Sequence, residues 1–260
     1  FGLPFMSVIC YYPCPRTPDE YYANLTKKIV TEYKPEYIWL KDAGGLFTVD
    51  RIRTLLPAMQ KEAKGTPIHI HTHGMSTNSG RVLAEAMKLG VNGAHVCIPP
   101  LALGSSHESI FNTVHNAKIL GRETMINEEP LKEVERRLRM IAREEGLPVG
   151  VPLEYDEGVY THQLPGGVIS NLREQLMQLG MPDKLDEVLN EVKQIIVDLG
   201  YPMMITPFSQ YMVSQAAVNV SIGERYKVIL DPITEMALGV HGWEDIGVPW
   251  MDPNIRDMLI

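Results

Sequence analysis

Four short apolar runs, each separated from the next by a helix-length stretch, occupy the first 120 positions of this 260-residue chain. They are Met6–Cys10 (MSVIC), Tyr37–Leu40 (YIWL), Pro67–His71 (PIHIH) and Ala94–Ile98 (AHVCI). Antiparallel strands can be joined by a tight turn, whereas parallel strands need a crossover of a dozen or more residues, usually a helix. The spacing is of the second kind and predicts βαβ units around a parallel sheet. Thr17-Pro18-Asp19-Glu20 reads as a helix start, with a capping residue, a proline at the first helical position and acidic first-turn residues. That helix is predicted to run to about Tyr33, and others to cover about 48–64, 79–89 and the stretch ending near Gly121.

From Asn127 the strand signal fades. LKEVERRLRMIAREEG is a charged amphipathic helix with Leu131, Val134, Leu138 and Ile141 at helical spacing. Further helices are predicted around 168–179, 184–199 and 209–220. The division is therefore residues 1–121, βα in character, and residues 122–260, helical. Four βα units are half of an eight-stranded barrel, or else a small open sheet.

Composition narrows the function. The net charge of -8 argues against a nucleic-acid binder relying on phosphate contacts. No apolar run reaches the length of a membrane-spanning helix, so direct membrane insertion is not expected. Three cysteines (Cys10, Cys14, Cys97) are too few for a disulfide scaffold and suit a reducing cytoplasm. The chain opens on Phe1 without a signal-peptide pattern and reads as starting partway through a longer protein.

Lys41, His71 and His73 each lie at the C-terminal end of a predicted parallel strand, the edge on which α/β proteins build sites. His71-Thr72-His73 can turn two imidazoles into one site, and imidazole suits zinc, manganese or cobalt. His69 extends the run and reads as a core or barrel-interior residue. Lys41 by itself reads as a lysine paired with Asp42 or a neighbouring carboxylate. His95, His107 and His115 have no spacing that favours a site, and Cys10-x3-Cys14 lacks a second cysteine pair to complete a zinc knuckle. Ala86-Met87-Lys88 has the letters of a biotin attachment motif but falls inside an amphipathic helix, RVLAEAMKLG.

KDAGGL (Lys41 to Leu46) followed by HTH (His71 to His73) resembles the carboxyltransferase family of biotin enzymes. That family includes the B subunit of pyruvate carboxylase, the oxaloacetate decarboxylase alpha subunit and the pyruvate-binding transcarboxylase subunit. PLALGSSH, HQLPGGVISNL, ITPFSQ and QAAVNVSIGERYK resemble the same family, in its order. The resemblance implies strands five to eight of a TIM (β/α)₈ barrel, followed by a C-terminal helical funnel. It implies a carbamylated Lys41 that binds a divalent metal (zinc, manganese or cobalt) together with His71 and His73. It also implies that Thr206 relays a proton between biotin and a substrate enolate. Taken alone, Thr206 reads as a helix N-cap.

The implied activity is transfer of CO₂ between carboxybiotin and a 2-oxo acid of the pyruvate or oxaloacetate type. Biotin would arrive in trans on a biotin carboxyl carrier domain, beside biotin carboxylase or decarboxylase partner subunits, in a homo-oligomeric assembly. The first half-barrel, with the family's aspartate ligand and its carboxylate-gripping arginine, has no counterpart here. A separate chain or segment is expected to supply it. Two loops depart from the family: Gly74 follows the second metal histidine, where an acidic or polar residue is usual, and CYYPCP (Cys10 to Pro15) replaces a Gly-Asp turn. Two alternatives stand beside this reading: a biotin-independent acyl-CoA lyase or synthase of the same superfamily, and a non-catalytic scaffold subunit.

Overall fold

The computed structural model describes residues 3–242 and 247–260. Its contacts divide the chain into two compact units, Phe1–Glu157 and Gly158–Ile260.

The first unit is built on a parallel sheet of four strands, β1 (Met6–Cys10), β2 (Tyr37–Asp42), β3 (Ile68–Thr72) and β4 (Gly93–Ala94), in the order β1-β2-β3-β4. Helices α1 (Asp19–Glu32), α2 (Val49–Ala63) and α3 (Ser79–Lys88) are the crossovers, and α4 (Ile110–Ile119) follows β4. Each crossover steps in the same direction. Parallel crossovers are right-handed in nearly all proteins, which sets successive helices on one face of the sheet, and α1 packs on α2 and α2 on α3. Burial follows the two-residue period of a strand: Ile38, Leu40, Ile68 and Ile70 are fully buried. Each contributes about 1.5–3 kcal/mol by leaving water. The opposite face carries Tyr37, Trp39, Lys41, His69 and His71 at intermediate exposure, and Met6 and Val8 are exposed. Parallel sheets are normally covered on both faces; among the described residues this one is fully covered on one and only partly on the other.

The fourth strand is shorter than the predicted 94–98. His95 N–H still donates to the Ile70 carbonyl of β3 (2.8 Å), and beyond it the backbone turns to a different partner: Cys97 N–H donates to the Glu108 carbonyl and Ile110 N–H to the Cys97 carbonyl, both at 2.9 Å. Residues 97–110 thus close on themselves in place of extending the ladder with β3.

Helix α5 (Glu128–Glu144) forms where expected, but of its residues only Ala142 is buried, and Val134 and Ile141 of its apolar stripe are exposed. The segment after it belongs to the first unit, with Gly150 N–H donating to the Pro100 carbonyl at 2.7 Å. The change of texture at 121/122 therefore falls inside that unit.

The second unit is helical: α6 (Val159–His162), α7 (Gly166–Gln178), α8 (Leu185–Asp198), α9 (Phe208–Ile222), α10 (Asp231–Ala237) and α11 (Pro253–Leu259). Val188, Val192, Ile195, Met212, Ala216, Ile233 and Met236 form its core. The QAAVNVSIGERYK segment ties itself together through polar groups. Gln215 and Asn219, one turn apart on α9, bond each other at 2.8 Å; Asn219 also donates to Glu191 at 2.8 Å and accepts from Tyr226 N–H at 3.0 Å. Arg225 bridges Glu191 and Asp198.

Candidate metal centre

The site begins with the turn after β2. Strand alternation sends Lys41 to the open face and Asp42 to the covered one, so the two are not partners, contrary to the expectation for Lys41 alone. Asp42 is fully buried and accepts from Leu46 N–H (2.7 Å), Phe47 N–H (2.9 Å) and the Thr72 hydroxyl (2.7 Å). Burial pushes its pKa up to about 6, against the pull of these donors. Its carboxylate joins the end of β2 to Thr72, the last residue of β3, which lies between His71 and His73. In register, Lys41 stands opposite His71.

Gly45 allows the two loops to approach. It has φ +65°, and a Cβ there would stand 2.5 Å from the His73 carbonyl oxygen. Gly74 is explained similarly, since a Cβ would lie 2.8 Å from the Gly104 carbonyl oxygen. The acidic or polar side chain usual at that place in the family has no room in this packing.

His71 and His73 converge, with their Nε2 atoms 3.1 Å apart. A third imidazole, His107, joins them from the loop between β4 and α4, and the ligand nitrogens of the three lie within 4.8 Å of one another. An isolated antiparallel bridge between His73 and His107 clasps the loops. His95 approaches from the other side, its Nδ1 3.3 Å from the Nδ1 of His71, and Trp39 packs edge-on against both rings. Neither His107 nor His95 was singled out from sequence. The available signal was position: both follow the fourth strand, near the edge that carries Lys41 and His71. His69 lies on the open face stacked on Tyr37, outside the three-histidine group.

Every imidazole here is held below its ordinary pKa. Burial drives His71 down to about 2, aided by His107, His73, His95 and the Lys41 charge. Burial likewise lowers His73, His95 and His107, opposed at His73 and His107 by bonds to backbone carbonyls. Neutral imidazoles are the form that ligates a metal. The donor set therefore fits a divalent cation of the zinc or cobalt type.

Thr206 lies in the second unit, exposed, in the turn before α9. The N-cap of that helix falls on Pro207, with no side-chain cap bond, so the capping reading of Thr206 does not hold. Ala86, Met87 and Lys88 lie within α3, as predicted, and the three cysteines are free thiols. No helix among the described residues is long and apolar enough to cross a membrane.

Residues 159–251 match the family of the conserved carboxylase domain. The chain is 32% identical over 243 residues to the B subunit of pyruvate carboxylase from Methanocaldococcus jannaschii, covering 93% of this chain and 42% of that protein. It is 31% identical over 215 residues to the 2-oxoglutarate carboxylase large subunit of Hydrogenobacter thermophilus, covering 82% and 33%. With the methylmalonyl-CoA carboxyltransferase 5S subunit of Propionibacterium freudenreichii the identity is 28%, covering 93% and 47%. The chain thus spans less than half the length of these relatives. The carboxyl transferase domain of Rhizobium etli pyruvate carboxylase, solved with oxamate and biotin, superposes with a TM-score of 0.87 at 20% identity, over 98% of this chain and 45% of that one. That likeness establishes the fold. Residues 159–251 thus belong to the conserved carboxylase domain family, and over most of its length the chain is similar to proteins that are themselves carboxylases and carboxyltransferases.

Proposed function

We propose that this chain is the C-terminal part of a biotin-dependent carboxyltransferase. Residues 1–121 would be strands five to eight of a TIM barrel and residues 122–260 its helical funnel. The reaction would move CO₂ between carboxybiotin and a 2-oxo acid of the pyruvate or oxaloacetate type. The observation that carries this reading is the meeting of His71 and His73, with Lys41 opposite in register, at the end of a sheet whose family relatives catalyse carboxyl transfer.

Lys41, carbamylated to present an anionic oxygen, would hold a divalent metal with His71 and His73. Such a metal supplies Lewis acidity toward the substrate carbonyl. The Asp42 turn keeps Lys41 and the histidines in register, and the half-buried site limits water. The Thr206 hydroxyl, which both donates and accepts, would take the proton from the carbon of the 2-oxo acid and pass it to the biotin nitrogen that loses CO₂. The resulting enolate then forms the new carbon–carbon bond. Biotin would come on a carrier domain in trans, from an assembly with biotin carboxylase or decarboxylase subunits.

The partly covered sheet face, and the sides of β1 and β4 that have no strand neighbour among the described residues, support a partner segment completing the barrel. An unpaired strand edge is normally covered or blunted.

The test is Thr206→Ala in the intact particle containing this chain, assayed for carboxyl transfer between biotin and oxaloacetate. A general acid–base step is worth about 10²–10⁴-fold, so the rate should fall by that factor with metal content unchanged. A variant retaining more than about a tenth of the rate overturns the assignment.

A further inference from the structure

We propose that the metal ligands in this chain extend to a third imidazole, His107, and that His95 is the outer partner that orients His71. The proposal rests on the reading of this site as a metal centre and deepens it. A face of three imidazoles favours a borderline cation such as zinc or cobalt, and lets this chain bind it without a ligand from elsewhere.

The argument comes from where each ring proton must lie. His73 Nδ1 is 2.7 Å from the Ser105 carbonyl oxygen, and His107 Nδ1 is 2.9 Å from the Thr72 carbonyl oxygen. Carbonyls only accept, so both Nδ1 atoms carry the proton and donate it. In the neutral rings each Nε2 is then left as an acceptor. His73 Nε2 faces His71 Nε2 at 3.1 Å, and the His107 ring centroid is 4.0 Å from that of His71 and 4.3 Å from that of His73. Neutral His71 has a single N–H to offer. Even placed on Nε2, it satisfies one of the two facing acceptors. A cation placed among the rings would take one nitrogen from each, since the ligand nitrogens of the three lie within 4.8 Å of one another.

His95 resolves the remaining nitrogen. With Nε2 of His71 given to a cation, its proton moves to Nδ1 and donates to Nδ1 of His95, 3.3 Å away. A ligating histidine commonly has such an outer partner, which fixes its tautomer and ring angle. The loop carrying His107 is itself anchored. Buried Glu108 accepts from Ser109 N–H (3.0 Å) and the Asn112 amide (3.2 Å) at the start of α4, while Leu103 N–H bonds the His107 carbonyl at 2.7 Å.

The test is titration of the full chain, stripped of metal, with Co²⁺, followed by its visible absorption and by competition with a chelating indicator. The wild-type chain should take up one Co²⁺. His107→Ala should weaken binding at least about 10-fold with the circular dichroism spectrum unchanged, and His95→Ala about 10–100-fold, the usual cost of losing an outer partner. His107→Cys should restore binding and add a sulfur-to-cobalt charge-transfer band, which a merely structural role for His107 would not produce. Wild-type affinity in His107→Ala, or no such band in His107→Cys, while His71→Ala abolishes binding, overturns the role of His107 and leaves the metal with Lys41, His71 and His73. Unchanged affinity in both His71→Ala and His73→Ala overturns the metal-centre reading itself. A wild-type chain that binds no Co²⁺ overturns the three-imidazole site, leaving the carboxyltransferase reading to the Thr206 assay.

Discussion

Gly45→Ala should cost both stability and metal affinity, and the structure gives the size of each. Gly45 sits at φ +65°, where an alanine pays about 1–2 kcal/mol for the left-handed conformation. The new methyl would also stand 2.5 Å from the His73 carbonyl oxygen and 2.9 Å from Met75 N, both backbone atoms. Ordinary contact begins near 3.4 Å, so the His73–Met75 backbone must retreat by about 1 Å. Overpacking of that kind costs about 1–3 kcal/mol, bringing the total to about 2–5 kcal/mol. Gly65 provides an internal control: it has φ +90° and nothing within 4 Å of where a methyl would stand, so Gly65→Ala should show only the conformational part. The unfolded-state effect of a Gly→Ala change is common to both and cancels in the comparison. Urea unfolding of the two variants side by side measures the difference, and Co²⁺ titration reads its consequence at His73, expected to be about a 10-fold or greater loss in affinity. The reasoning fails if the two variants agree within about 0.5 kcal/mol and Gly45→Ala binds cobalt as the wild type does.

Acid should destabilise the first unit. The unfolded chain takes up protons at His71, His73, His95 and His107 below about pH 6.5, whereas the folded chain holds all four pKa values lower; Asp42, raised to about 6, works in the opposite sense with one proton. The melting temperature of the metal-free chain should therefore fall between about pH 7 and pH 5.5, and a flat or rising profile would contradict this balance. In the second unit, Asn219→Ala strands Tyr226 N–H and one Gln215 donor and leaves Glu191 short of a donor, so denaturant melts should show a loss of about 2–4 kcal/mol. A loss below about 0.5 kcal/mol would mean that water replaces these bonds.

How far the sequence reached can be traced residue by residue. Strand and helix periods are local properties, so the parallel sheet and its crossovers were legible from four apolar runs and their spacing. So was the placing of Lys41, His71 and His73 at the same edge, because consecutive parallel strands end on the same side. The period of two likewise implies that Lys41 and Asp42 face opposite ways, although their adjacency in the chain invites pairing. The apolar stripe of α5 was legible as a stripe, but whether it would be covered was not: periodicity names a face and does not supply the surface that buries it.

His107 and His95 mark the limit most clearly. His107 lies 34 residues after His73, beyond a strand that stops short and a loop that folds back on itself. Its approach depends on the His73–His107 bridge, on bonds between the two loops and on close backbone passage at Gly45 and Gly74. Those are contacts between segments remote in sequence, and no local pattern encodes their closure. Sequence alone marked Lys41, His71 and His73 as residues able to bear ligand chemistry and put them on one edge. Only the tertiary structure decided that a third imidazole meets them, because convergence is a property of loop closure and packing, whereas periodicity is a property of the chain.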